Sequence, residues 1–261
     1  MAYRNIPRPG NPRSLTTTED WVGWASQEHL LPSVAPHLDN CCALCHGAVG
    51  YTFEGEPFTY CQHCISYRRW LDTHLPIVYS LDNGLESLLH RYKDFGRQYR
   101  WMALPLASVL FEFLDKHLEC IEERYGNIDL ATTVPSANAT RDFDHVREII
   151  DRIAEWPLTW VPDLLAKIRE GRPARGTTDS SFYRIEGEAS VEYQSILVFD
   201  DTWTSGSSLA SVARRLKEDG AKHVVGVTLG RQLHGGWGTA DDLVEKVASR
   251  AFDNTVCVIC G

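Results

Sequence analysis

Residues 195–209 read SILVFDDTWTSGSSL, and this stretch decides how the chain is interpreted. The apolar run 196–199 is continuous rather than alternating, which is typical of a strand buried on both faces of a parallel sheet. Asp200 and Asp201 follow the run directly, and a loop of hydroxyl residues around one glycine, 204–208, leads into a predicted helix. The stretch therefore predicts a strand, an acidic strand end and a polar helix start.

This arrangement indicates a ligand that carries both hydroxyls and a phosphate. In open parallel sheets, ligands bind where strands end and helices begin, and the unpaired amides of a helix start bind phosphate. Two carboxylates would repel that phosphate but would accept hydrogen bonds from sugar hydroxyls. A ribose 5-phosphate group satisfies both requirements, with its hydroxyls on Asp200 and Asp201. The predicted phosphate-binding residues are Thr204, Ser205, Gly206, Ser207 and Ser208.

Other kinds of site explain fewer features of residues 195–209 than a ribose-phosphate site does. The sequence contains neither the glycine pattern of a dinucleotide site nor that of a P-loop after a strand. A strand followed by an ordinary polar helix cap remains an alternative. An aspartate that accepts a phosphoryl group is a second alternative, but it would leave the hydroxyl loop without a role.

The rest of the chain predicts an α/β fold, a mostly parallel sheet with helices on both faces. Further strands are predicted at 128–135 and 223–229, where apolar residues again run together. Residues 1–40 are expected to form an arm and a helix, 41–70 a small module, and 71–261 the main domain. Helices are predicted near 85–92, over 105–125, 141–155, 160–170, 209–219 and 240–250.

Composition argues for a globular protein without a dedicated nucleic-acid surface. Hydrophobic residues make up 43% of the 261 residues, and the formal net charge is -9. That charge does not favour nucleic acid or an anionic membrane. No run of 18 apolar residues and no signal-peptide pattern occurs, so we expect no membrane span and a cytoplasmic location.

Eight cysteines need a physical reason in a reducing compartment, which disfavours disulfides. Two C-x-x-C pairs, Cys42 with Cys45 and Cys61 with Cys64, are separated by fifteen residues. That spacing is typical of four thiolates around a structural Zn²⁺, which would stabilise a segment too short for its own core. Buried free thiols or a redox pair are the alternatives.

A third pair lies at the C-terminal end of the sequence. Cys257 and Cys260 could pair with one of the other two C-x-x-C pairs, here called knuckles. They could also hold a metal jointly with Cys41, or be ordinary half-buried residues. Cys120 lies on a predicted helix and is interpreted as a core residue.

The order of these features resembles a known family. The 196–208 segment is similar to the phosphoribosyl-pyrophosphate (PRPP) motif of type I phosphoribosyltransferases, except that Thr202-Trp203 replaces two aliphatic residues. Preceded by four knuckle cysteines, it looks like the ComF family. YKDFG (92–96), TVPS (133–136) and GVTLGR (226–231) agree with that resemblance.

The resemblance implies an activity and further site residues. A member of this family would bind PRPP with Mg²⁺ and transfer the phosphoribosyl group to a nitrogen nucleophile, with Asp200 and Asp201 catalytic. The family's arginine-rich segments are largely missing here. The remaining candidates for pyrophosphate binding are Lys93, Ser136, Arg141 and Arg175.

A rival interpretation comes from a different class of protein. The same fold serves as a regulator that binds PRPP or nucleotides without turnover, and ComF-like proteins are associated with DNA uptake. Loss of the arginine-rich segments favours a binding role, whereas the acidic charge disfavours contact with nucleic acid. The acceptor substrate stays open, and a homo-oligomer is possible.

Overall fold

Strands with continuous apolar sequences build the centre of the molecule. A computed structural model of the protein describes residues 14–27, 31–34, 38–82, 84–136, 143–187, 190–236 and 239–261. The strands are β1 (Thr73–Ser80), β2 (Leu130–Thr133), β3 (Leu165–Lys167), β4 (Tyr183–Ile185), β5 (Ser195–Trp203) and β6 (His223–Gln232). The α-helices are α1 (Thr18–Ser26), α2 (Cys64–Tyr67), α3 (Leu85–Asp94), α4 (Ala103–Tyr125), α5 (His145–Ile150), α6 (Ser207–Glu218) and α7 (Thr239–Ala248).

The central sheet is parallel and has the order β1-β6-β5-β2. The strand predicted from 195–203 lies inside it, with Phe199 opposite Val227 of β6 and Thr133 of β2. Every residue from Ser195 to Phe199 is buried, as the continuous apolar run requires.

Helices cover both faces of this sheet, which confirms the predicted α/β class. One face, with Leu197 and Phe199, packs against α1, α3, α4 and α5. The other face, with Ile196 and Val198, packs against α6 and the cysteine knuckles. The knuckles therefore share a core with the main domain, and α1 packs on α4.

One predicted helix is wrong. Residues 160–170 form a single 3-10 turn, Pro162–Leu164, followed by β3, which pairs antiparallel with β4. Leu165 lies opposite Ile185, so the apolar residues of two distant short segments pack together in strands. Tertiary pairing overrides the weak local helical pattern here.

Two other elements differ from the sequence interpretation, since β1 is not among the predicted strands and one helix is shorter than predicted. Strand β1 contains Pro76, which disfavours a strand assignment, yet it lies at the end of the strand order, where proline is tolerated. The helix predicted at 141–155 is present only as α5, after residues 141 and 142, which are outside the described residues. None of the helices in the described part of the chain combines the length and apolarity needed to cross a bilayer.

Candidate functional site

A cavity of about 250 Å³ opens where β5 and β6 end. The acidic strand end and the hydroxyl loop both line it, although they arise from different secondary-structure elements. The sequence-predicted residues on its wall are Lys93, Ser136, Asp200, Asp201, Thr204, Ser205, Gly206, Ser207 and Ser208. The structure thus brings the two acids and the predicted phosphate loop into one cavity, as parallel topology requires.

The loop places the start of α6 at the cavity. Gly206 is the N-cap of this helix and has a left-handed conformation, with φ of 78°. As a glycine, Gly206 has no side chain to cap the first turn, and the Ser207 amide donates to Oγ of Ser205 at 3.5 Å. The amides at this helix start, together with the positive end of the helix dipole, are suited to an anion.

The Trp203 side chain packs against the loop at Gly206. Its side chain is only 2% exposed, and its ring centroid lies 4.2 Å from that of His74. A Cβ atom at Gly206 would lie 2.1 Å from Cζ2 of Trp203, so a side chain at that position would collide with the indole. The bulky residue that departs from the family motif is therefore part of the loop's support, and Gly206 is required for both its φ and its space.

The hydroxyls of the loop have different surroundings. Ser207 is buried, and its Oγ lies 2.9 Å from the Tyr67 hydroxyl and accepts a hydrogen bond from the Gly176 amide at 3.1 Å. The Ser207 hydroxyl therefore holds the loop to neighbouring segments. Thr204 is exposed, and Ser205 and Ser208 are half-buried on the cavity wall.

Asp201 is held by Lys93 and His145. Its side chain is 8% exposed, and one carboxylate oxygen lies 2.9 Å from Nε2 of His145 and also contacts the Lys93 ammonium. Burial alone would raise the pKa of Asp201, but Lys93 and His145 outweigh it and hold that pKa well below its ordinary value. Asp201 is therefore a carboxylate at neutral pH.

Asp200 has the opposite electrostatic character. Burial raises the pKa of its carboxyl to about 8, and the charge of adjacent Asp201 adds to this effect. Its Oδ1 accepts a hydrogen bond from the Asp201 amide at 2.9 Å. Two neighbouring acids of the same strand end thus differ in protonation at neutral pH, which is common at functional sites.

Thr202 places a buried hydroxyl beside the acids. Thr202 lines the cavity, and its Oγ1 is buried without a hydrogen-bond partner among the described residues. Buried polar atoms are normally paired, so a bound molecule with donors or acceptors would satisfy it.

The candidates for pyrophosphate binding have different positions. Lys93 and Ser136 line the cavity, although Lys93 contacts Asp201. Arg141 lies outside the described residues. Arg175 is exposed and is not among the residues that line the cavity, whereas Arg172 is.

Sequence reasoning missed two groups of the site. His145 begins α5 and reaches Asp201 across 56 residues, and no sequence motif marks it. Glu86 and Asp94, at opposite ends of α3, also line the cavity. Both lie on α3, which also carries the predicted site residue Lys93, and this shared helix is the one sequence signal that could have identified them.

The four knuckle cysteines converge as the spacing predicts. One ligand atom from each of Cys42, Cys45, Cys61 and Cys64 lies within 4.8 Å of the others, and Sγ of Cys45 is 3.8 Å from Sγ of Cys61. Tetrahedral Zn–S bonds of about 2.3 Å place sulfur atoms roughly 3.8 Å apart. The cluster therefore fits a structural Zn²⁺.

Arg231 connects this cluster to the end of β5 and the loop that follows it. Its Nε donates to the Cys45 carbonyl at 2.9 Å, and one terminal nitrogen donates to the Trp203 carbonyl at 3.3 Å and to the Thr204 carbonyl at 3.5 Å. The knuckles and the end of β5 are thus joined through one guanidinium.

Comparison with known proteins finds similarity only among solved structures. No protein-family model matches the sequence, and no curated protein matches it. A hypoxanthine phosphoribosyltransferase from Staphylococcus aureus is 16% identical, with a TM-score of 0.30, and the match covers 48% of this chain and 73% of that one. An L. donovani hypoxanthine-guanine phosphoribosyl transferase is 13% identical, with a TM-score of 0.31 and coverage of 48% and 71%. A hypoxanthine-guanine phosphoribosyltransferase from Bacillus anthracis is 13% identical, with a TM-score of 0.29 and coverage of 48% and 80%. Similarity this weak assigns neither fold nor function, so the interpretation rests on the site itself.

Proposed function

We propose that this protein is a phosphoribosyltransferase-like enzyme that binds PRPP with Mg²⁺ and transfers the 5-phosphoribosyl group to a nitrogen nucleophile. The observation that carries the proposal is the shared cavity, which the two acids of β5 and the start of α6 line together. A ligand with a diol at one end and a phosphate at the other matches both groups.

The 5-phosphate is assigned to the loop 204–208. The amides at the start of α6 bind it, with hydroxyls of Thr204, Ser205 and Ser208 as further donors. Ser207 contributes indirectly, because its hydroxyl fixes the loop to Tyr67 and to the 176 amide.

The ribose hydroxyls are assigned to the acid pair. Asp201 is ionised and already oriented by Lys93 and His145. Asp200 carries a proton at neutral pH because its pKa is raised to about 8. A hydrogen bond donated by a ribose hydroxyl stabilises the ionised form of Asp200 over the protonated form. The two acids together then present negative charge to the sugar ring.

Asp200 would supply carboxylate oxygen to Mg²⁺, which prefers oxygen ligands. When bound, Mg²⁺ neutralises charge on the pyrophosphate leaving group. Among the described residues, Lys93 and Arg172 supply the protein's positive charge on this wall, and Ser136 a hydroxyl.

The transfer breaks the bond from the anomeric carbon to pyrophosphate and forms a bond from that carbon to nitrogen. The nitrogen supplies the electron pair, the pyrophosphate oxygen takes the departing pair, and the nitrogen then loses a proton to solvent. Positive charge develops on the sugar in the transition state, and the carboxylates of Asp200 and Asp201 stabilise it. No nucleophile from the protein is required.

One observation favours the binding role instead. Asp201 is paired with Lys93, which removes one cation from the pyrophosphate side of the cavity. A regulator that binds PRPP without turnover needs the same contacts to the diol and the phosphate. It needs fewer cationic groups to stabilise a pyrophosphate leaving group. Under this alternative the protein binds PRPP and releases no pyrophosphate.

Calorimetric titration of the zinc-loaded protein with PRPP and Mg²⁺ tests the site that both roles share. We expect saturable binding that Asp200→Asn weakens by at least tenfold, whereas Asp115→Asn, an exposed acid on α4, leaves it unchanged. Pyrophosphate release over a panel of amines and nucleobases then separates the enzyme from the regulator. Binding that is absent, or equally tight in Asp200→Asn, contradicts the assignment.

A further inference from the structure

A second group of metal-ligating side chains contributes nothing to the wall of the cavity. One ligand atom from each member lies within 4.8 Å of the others. Two members come from α4 and two from the C-terminal turn. They are His117, Cys120, Cys257 and Cys260. We propose that they form a second, structural Zn²⁺ site with three sulfur ligands and one nitrogen ligand.

The distances fit a single tetrahedral ion. Sγ of Cys257 lies 3.6 Å from Sγ of Cys120 and 3.4 Å from Sγ of Cys260. Nδ1 of His117 lies 3.6 Å from Sγ of Cys260 and 3.9 Å from Sγ of Cys120. Zinc bonds of about 2.3 Å to sulfur and 2.0 Å to nitrogen place neighbouring ligand atoms roughly 3.5–3.8 Å apart. The four atoms thus already have the separations of a zinc coordination shell.

The histidine is oriented as a metal ligand. Its Nε2 lies 3.1 Å from the carbonyl oxygen of Asn254, and an N–H must point at that oxygen. The other ring nitrogen, Nδ1, then carries the lone pair and faces the sulfur atoms. A backbone carbonyl that fixes the tautomer in this way is the usual second partner of a zinc-bound histidine. His117 is only 2% exposed, so this orientation is set by packing.

The C-terminal pair has the hydrogen bonds of a zinc knuckle. The Cys257 amide donates to Sγ of Cys260 at 3.3 Å, and the Ile259 amide donates to Sγ of Cys257 at 3.4 Å. In the first cluster, the Cys61 amide likewise donates to Sγ of Cys42 at 3.3 Å. Such amides stabilise thiolate charge, which neutral thiols do not need.

The site would join the chain's C-terminal turn to its longest helix. Cys257 is buried, and the segment before it holds Ser33, whose hydroxyl donates to the Asp253 carbonyl at 3.0 Å. Ser33 in turn forms a bridge with Val78 of β1. Because the protein supplies all four ligands, no position is open for substrate, and the role is structural.

Two other states of these cysteines are chemically possible. Cys257 and Cys260 could form a disulfide, or the thiols could remain free and hydrogen bonded. Neither state explains why His117 and Cys120 converge on the same point. Both states predict a protein with one zinc, bound only by sulfur.

Zinc content and zinc X-ray absorption of the full-length protein test the proposal. We expect two zinc ions per chain, with an average of about 3.5 sulfur and 0.5 nitrogen ligands per zinc. Cys260→Ser, a change at an exposed position, is expected to hold one zinc with four sulfur ligands. Cys41→Ser is the control, because Cys41 belongs to neither cluster, and it keeps two zinc ions.

The measurement on the unmodified protein stays decisive if a variant fails to fold. One zinc per chain with sulfur ligands only would overturn the proposal, whether Cys257 and Cys260 are free or disulfide-bonded. Since the cluster lies outside the PRPP cavity, this outcome is independent of whether PRPP binds.

Discussion

The Tyr67 hydroxyl lies 2.9 Å from the Ser207 hydroxyl, and this contact joins the cysteine knuckles to the loop 204–208. Tyr67 ends α2, the helix that begins at Cys64, and it is fully buried. Arg231 makes a second connection, from the Cys45 carbonyl to the carbonyls of Trp203 and Thr204. The proposed zinc module therefore positions the loop as well as stabilising its own segment.

Tyr67→Phe tests this connection. Removing the hydroxyl leaves Ser207 without one partner, a loss of about 1 kcal/mol, and loosens the loop. We expect PRPP to bind roughly three- to tenfold more weakly by calorimetry, with zinc content unchanged. Tyr193→Phe is the control, since Tyr193 is 79% exposed at the opposite end of β5. Unchanged affinity in Tyr67→Phe would mean that the knuckles do not position the loop.

Gly206→Ala tests the shape of the loop. The new methyl group would collide with Trp203 and force a left-handed alanine, at a cost of roughly 2–4 kcal/mol from overpacking and backbone strain. We expect a lower melting temperature and loss of PRPP binding. Gly23→Ala is the matched control, because nothing lies within 4 Å of that Cβ position, and it is expected to be neutral or stabilising. Equal effects of the two substitutions would contradict the account.

Asp200→Asn tests the raised pKa of this acid. Folding raises the Asp200 pKa from an ordinary value near 4 to about 8. As the pH rises from about 4 to 8, the unfolded chain loses this proton while the folded chain keeps it, so the free energy of unfolding falls. The lowered pKa of Asp201 has its effect at more acidic pH, where protonation removes its contribution to stability.

The asparagine variant cannot ionise at this position. Its stability relative to the parent should therefore increase from pH 5 to pH 8.5 in thermal or denaturant unfolding. Asp115→Asn should show a difference that does not change with pH, because that side chain is exposed. If the stability difference between the parent and Asp200→Asn does not change with pH, the Asp200 carboxyl is ionised in the folded protein at neutral pH.

Lys93→Met tests how Asp201 is held as a carboxylate. The ammonium contacts Asp201, so its removal raises the Asp201 pKa. We expect PRPP affinity to fall by roughly ten- to a hundredfold, as for a lost charged hydrogen bond, and its pH dependence to move to higher pH. Lys222→Met, on the exposed surface, is the control. Weaker binding without a shift in pH dependence would assign Lys93 to pyrophosphate rather than to Asp201.

The local parts of the site could be predicted from sequence because they are contiguous. Strand, acids and loop lie within 195–208, and the parallel topology brings the strand end and helix start together. The knuckle cysteines are similarly close in the chain, and their spacing alone implies convergence.

The remaining parts depend on long-range packing that no local pattern records. His145 reaches Asp201 over 56 residues, and Cys120 meets Cys257 over 137 residues. In place of the helix predicted at 160–170 there is a 3-10 turn and the short strand β3, because its partner, β4, lies near residue 184. Each of these contacts is decided by where the sheet places the two segments.

The most direct test of the central claim is a crystal structure of the protein with PRPP and Mg²⁺. The account predicts that the 5-phosphate lies against the amides at the start of α6, over Gly206, with the ribose hydroxyls within hydrogen-bond distance of Asp200 and Asp201. A phosphate bound elsewhere, or a ribose turned away from both acids, would contradict it.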